Sequence, residues 1–135
     1  MIAILYFICA ACTFAAIAAF HVLAYTRDVS PEIFYSLAAL TLLLCVPHVV
    51  LYLRVKKGVP QQEAWAQFWE RVLLHCPRWI SGTMTLAWFL AVLSFVRTFL
   101  GHEFTKSAFH TAWLLMPAGA ALSYAVTLMR APKKI

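Results

Sequence analysis

Residues 1–26, MIAILYFICAACTFAAIAAFHVLAYT, contain no Asp, Glu, Lys or Arg. A helix rises about 1.5 Å per residue and needs about 20 largely apolar residues to cross roughly 30 Å of hydrocarbon, so this stretch alone is long enough to span a bilayer. Three further runs share the property: 33–53, 79–96 and 107–129 are also free of charged side chains. The composition of the 135-residue chain agrees, with 64% hydrophobic and 12% charged residues, against roughly 25% charged in an ordinary soluble domain. The sequence therefore predicts an all-α integral membrane protein. A secretory leader does not account for the first run, which has no basic residue before Arg27 and exceeds the apolar core of about 7–15 residues that leaders use.

The basic residues set the expected orientation. Four crossings place Arg54, Lys56, Lys57, Arg71, Arg78, Arg130, Lys133 and Lys134 on one side with Glu63 and Glu70, giving that side the whole formal charge of +6. Arg27, Arg97 and Lys106 lie on the other side and are balanced by Asp28, Glu32 and Glu103. Basic loops are retained in the cytoplasm, so both termini are expected there. The sequence pI of about 9.4 then reads as a topology signal and an attraction to anionic lipid, and nucleic acid is not an expected partner.

Local punctuation refines the boundaries. Ser30-Pro31-Glu32 offers a capping hydroxyl, a proline at the first helical position and a carboxylate at the positive helix end. Lys56-Lys57-Gly58 closes that helix with cations and a glycine free to turn left-handed. Pro47 and Pro117 fall inside spans, where neighbouring helices can satisfy the carbonyls they free. Between spans two and three, Trp65, Phe68, Trp69, Val72 and Leu73 recur at helical spacing, opposite Gln62, Glu63, Gln67 and Glu70. This pattern predicts an amphipathic helix in the cytoplasmic interface, with Trp65, Phe68 and Trp69 facing lipid or a partner subunit. The expected architecture is a single integral membrane domain over residues 1–135. It is an antiparallel bundle of four transmembrane helices, about 2–26, 31–55, 78–100 and 106–130, with the interfacial helix at about 60–75.

Chemistry-bearing residues are few. No carboxylate lies within a charge-free run, which disfavours a proton-coupled exporter, and no P-loop, HExxH or Ser-His-Asp grouping is present. Hydrolase and nucleotide chemistry are thereby disfavoured. Two constellations remain. His21 and His110 fall about 8 and 5 Å below the outer ends of their helices, and His102 lies in the outer loop, so three imidazoles can converge on haem, a metal ion or a quinone. Cys9 and Cys12, with Cys45 and His48, form two i, i+3 pairs at similar depth and have the spacing of a Cys3His zinc set. Each residue also has a plainer reading, the histidines as hydrogen-bonded packing groups and the cysteines as small apolar filler. Ala11, Ala15 and Ala19, Ala87 and Ala91, and Ala121 and Ala125 follow the small-xxx-small spacing of helix contacts.

The His21 region, Pro47-His48, Cys76-Pro77-Arg78-Trp79-Ile80 and Phe109-His110 with Trp113 resemble a group of small bacterial four-helix inner-membrane proteins. These carry a basic-Pro-Arg-Trp step before helix three and a His-Trp element in helix four. Here Thr111 and Ala112 separate the histidine from the tryptophan. The resemblance implies a bacterial inner-membrane setting and no particular activity. The function expected from the sequence is a non-enzymatic accessory or interaction protein, with membrane lipid and another membrane subunit as its partners. The rival is a small redox or ligand-binding protein that uses the outer histidines.

Overall fold

The computed structural model describes residues 1–24, 26, 27, 30–100 and 106–132, with Thr98 and residues 106–110 described as backbone only. The described residues form five helices: α1 (Ile2–Leu23), α2 (Pro31–Lys56), α3 (Gln61–Leu73), α4 (Arg78–Phe99) and α5 (Lys106–Arg130). Four of them, α1, α2, α4 and α5, are long and apolar enough to cross a membrane. The fifth, α3, has 13 residues and is amphipathic.

Helix ends follow from local chemistry. Ser30 caps α2 by accepting from the Ile33 amide at 3.4 Å, and Pro31 takes the first helical position, where no amide partner is needed. The same hydroxyl donates to Glu32 at 2.8 Å, which fixes the carboxylate near the positive end of the helix. Beyond Lys56 the chain turns through Gly58 at φ +80°, a conformation that costs glycine nothing and other residues a clash. α1 stops at Leu23, whose carbonyl accepts from both the Thr26 and Arg27 amides. The helix thus ends before the uncharged run does.

Helix α5 is the axis of the bundle. It packs against α1, α2, α3 and α4, whereas α4 has its substantial packing on α5 alone. Within the candidate spans, 56% of the α5 residues are buried, compared with 17–22% in the other three. Small side chains allow this close approach: Ala112, Ala118, Ala121 and Ala125 are almost wholly enclosed. Two apolar clusters result. One joins Ile17, Leu37, Ala87, Leu115 and Ala118. The other joins Ala10, Leu44, Ala121 and Ala125. Outward from these, Leu5, Leu42, Leu43, Val46, Leu86 and Phe89 are exposed, forming the apolar mantle that a bilayer covers. Some hydroxyls within the spans are satisfied by their own helix, as where Thr41 donates to Leu37 at 2.7 Å and Thr83 to Trp79 at 2.8 Å.

On α1 the buried stripe is Ala10, Thr13, Ile17 and His21. Ala15 and Ala19 are exposed, so the contact face is not the expected Ala11-Ala15-Ala19 row. In α4 and α5 the expected pairs Ala87 and Ala91, and Ala121 and Ala125, are buried.

Candidate functional site

Helices α2 and α4 lie on different flanks of α5, and the space left between them is not filled by side chains. A cavity of about 710 Å³ occupies it, bounded by Cys45, His48, Val49 and Tyr52 of α2, Met84, Thr85 and Trp88 of α4, and Met116, Pro117 and Ala120 of α5. Trp65, Phe68, Trp69 and Leu73 of α3 complete the wall. Val49 and Trp88 are more than half exposed, so the cavity opens sideways, toward lipid. A second space of about 220 Å³ continues between α4 and α5 and shares Trp88 and Met116 with the first.

The aromatic wall is built by α3. Ala64, Phe68 and Val72, spaced at i, i+4 and i+8, are the buried residues of this helix. They turn its apolar face onto α2 and α5. Phe68, expected at a lipid or partner surface, is 5% exposed. Its ring lies 5.9 Å from Tyr52 and 6.0 Å from His48, centre to centre. Trp65 lies tilted against Tyr52 at 4.8 Å while remaining 46% exposed, and Trp69 is half-buried beside Phe68 at 5.2 Å. The period read from the sequence holds, but the face it defines covers the cavity.

His48 is the most polar group in this wall. It is 7% exposed, and its Nε2 lies 2.9 Å from the Ala120 carbonyl. A carbonyl oxygen only accepts, so Nε2 carries the proton. The ring of Tyr124 stands 5.2 Å from the imidazole, centre to centre. The remaining nitrogen, Nδ1, is buried without a hydrogen-bond partner in the protein. The neighbouring Leu44 carbonyl already accepts the Tyr6 hydroxyl at 2.8 Å. Being an acceptor itself, it has nothing to offer an unprotonated Nδ1.

The other expected donors are dispersed. Cys45 lines the cavity with Sγ 4.0 Å from the Pro117 carbonyl. Cys9 and Cys12 are exposed, off the buried stripe of α1, and all four cysteines are free thiols. Cys9, Cys12, Cys45 and His48 therefore do not gather into a ligand set, and no three His, Cys, Asp or Glu side chains form a metal-holding group among the described residues. The rotation of α1 about its axis puts Ala10, Thr13, Ile17 and His21 inward and leaves both of its thiols exposed. His21 is buried at 3% exposure, and its Nδ1 shares a 2.9 Å hydrogen bond with Thr111 Oγ1, joining α1 to α5. His102 and the side chain of His110 lie outside the described residues.

Sequence reasoning marked His48, Cys45 and the α3 aromatics but not their meeting with Met84, Trp88 and Met116. The i, i+4 pair His48 and Tyr52, on the α2 face nearest the aromatic helix, is the sequence feature that points to it. Comparison with known proteins finds no family model, curated sequence or solved structure that matches this chain.

Proposed function

We propose that this chain is a non-enzymatic accessory protein of the bacterial inner membrane, which takes up an apolar small molecule from the bilayer and holds it between α2, α4 and α5. The observation that carries this reading is the cavity of about 710 Å³, within the range of about 300–1,000 Å³ used by small-molecule sites. Its position suits the role. An opening between two flanking helices admits a lipid-dissolved molecule without passage through water, and walls of Trp, Phe, Tyr and Met offer large contact areas at low desolvation cost. The charge division between the two sides supports cytoplasmic termini, which puts α3 and the nearer end of the cavity at the inner face.

The test is to extract the purified protein with organic solvent and analyse what was bound. Thr85 lines the cavity from α4 and is exposed, so Thr85→Trp fills the space without disturbing the buried core. A compound recovered with the wild type and absent from Thr85→Trp supports the reading. Identical extracts from the two proteins overturn it.

A further inference from the structure

The rows of residues that line the cavity run on into positive charge at one end. Along α2, Cys45, Val49 and Tyr52 recur at helical spacing in the wall, and Lys56, one turn past Tyr52, continues the same row. Thr85 lines the cavity from α4, and Arg78 lies two turns earlier on the same side of that helix. α2 runs parallel to α5, since Cys45 meets Pro117 and His48 meets Ala120. α4 runs antiparallel to it, since Met84 meets Ser123 and Phe95 meets Trp113. The end of α2 and the start of α4 therefore stand at the same end of the bundle, and both Lys56 and Arg78 are exposed there. The carboxylates of α3 do not cancel them at the cavity: at about 100° per residue, Glu63 and Glu70 fall on the side of α3 away from Phe68.

Away from the cations the space is apolar and long. The cavity and the adjoining space of about 220 Å³ share Trp88 and Met116, and together they follow α4 from Met84 to Phe95. That distance is about 16 Å at 1.5 Å per residue, close to half of the roughly 30 Å hydrocarbon core that the chains of one leaflet fill. We infer that the cavity takes one acyl chain of an anionic phospholipid, whose phosphate is drawn to Lys56 and Arg78 at the membrane surface. The sideways opening past Val49 and Trp88 leaves the second chain in the bilayer, which suits a two-chain lipid. The inference rests on the uptake reading above and names the molecule: what enters the cavity is apolar, and the charged head stays outside it.

The probes are phosphatidylglycerol and phosphatidylcholine with the same brominated acyl chains. Each is added at low mole fraction to nanodiscs of unbrominated phosphatidylcholine that hold the full chain. Bromine quenches tryptophan on contact, and Trp65, Trp69, Trp88 and Trp113 line the two spaces. Brominated phosphatidylglycerol should quench saturably, at a mole fraction about five- to thirtyfold lower than brominated phosphatidylcholine, the gain from one or two cations at a membrane surface. Lys56→Gln combined with Arg78→Gln should remove this preference, and raised salt should shrink it in the wild type. Thr85→Phe, which fills the cavity without adding a tryptophan, should abolish the saturable quenching. A preference that survives Thr85→Phe would be the general attraction of a basic surface for anionic lipid and would overturn the site. One that survives the double variant would overturn the role of the two cations. Saturable quenching by both lipids alike would overturn the head preference and leave uptake from the bilayer standing. Stronger quenching by brominated oleate than by either phospholipid would make the occupant a single-chain acid and overturn the two-chain lipid. Absence of saturable quenching would overturn the inference altogether, while the comparison of extracts, which depends on neither head nor chain, decides the uptake reading by itself.

Discussion

Thr127 donates its hydroxyl to the Val72 carbonyl across 2.6 Å, tying the last part of α5 to the last turn of α3. The last four carbonyls of a helix have no partner within it, and Val72, second from the end of α3, is one of these. Since Val72 is fully buried, water does not replace the threonine. Thr127→Val keeps the shape and removes the donor, and it should cost about 1–3 kcal/mol. Hydrogen exchange in residues 61–73 should rise, while Thr127→Ser should restore protection. Unchanged exchange would mean that α3 is held by its apolar face alone.

Gly119 tests how closely α4 approaches the axis. A Cβ at this position would lie 3.1 Å from Met84 Cγ and 3.5 Å from Phe14 Cε2. The small displacement of Met84 that alanine requires is set against the gain of about 0.5–1 kcal/mol on replacing a mid-helix glycine. Gly119→Ala should therefore stay within about 1 kcal/mol of the wild type. Gly119→Leu, which drives a branched chain into the same two neighbours, should cost about 2–3 kcal/mol. Thermal unfolding in detergent measures both. Equal midpoints for the glycine and leucine proteins would contradict the packing of α4 on α5.

Cys76, in the link between α3 and α4, is half-buried, and burial pushes its thiol up from the ordinary value despite the opposing influence of Ser123 and Arg130. Only the thiolate is alkylated, so a raised value leaves less reactive form at any given pH. In a protein with Cys9, Cys12 and Cys45 replaced by Ala, maleimide labelling should still be climbing at a pH where a free thiol has levelled off. The folded state holds this proton more tightly than the unfolded one, so stability from this group is present below the ordinary thiol value and is lost as pH rises above it. A labelling midpoint at or below that of a free thiol would contradict the burial.

The four long helices were legible because length and the absence of charge suffice to recognise a span, and both are read directly from residues such as those in 33–53. Caps were legible for a similar reason, since Ser30, Pro31 and Gly58 act through local backbone geometry. Rotation about the helix axis was not. In water an apolar stripe marks the buried face, but lipid and core accept the same apolar residues, so Ala11, Ala15 and Ala19 suit a contact row as well as Ala10 and Ile17 do. Only Thr13 and His21 set the buried row apart, since polar side chains within a span turn toward other helices. The same ambiguity governs α3, whose aromatic face could be placed by period but not assigned to lipid or to the bundle. The cavity was further out of reach, because it is defined by the separation of α2 from α4 and by no single stretch of chain.

Topology follows from charge. Reporter fusions inserted between residues 58 and 62 should report cytoplasm, and one at residue 29 should report the opposite side. Moving basic residues provides the sharper test: neutralising Arg54, Lys56 and Lys57 together should weaken the bias and yield molecules of mixed orientation. A wild-type reporter at residues 58–62 on the outer side would end the proposed orientation and the placement of α3 at the inner face.

The rotation of α1 makes opposite predictions for two residues separated by two positions. Ala10 is wholly enclosed and packs with Leu44, Ala121 and Ala125, so Ala10→Leu must push α1 away from α5 and should cost about 2–3 kcal/mol. Cys12 is exposed. Leucine there meets lipid tails as apolar as itself, and Cys12→Leu should change stability by less than about 0.5 kcal/mol. The same pair decides the question of metal. A zinc site that used Cys12 would have to turn α1 so that its thiols face α2, and Cys12→Leu would then destabilise strongly and lower the zinc content found by elemental analysis. In the arrangement observed, the zinc content of Cys12→Leu equals that of the wild type, and only Ala10→Leu unfolds early. The reverse order of stabilities would show α1 packing by its cysteine face.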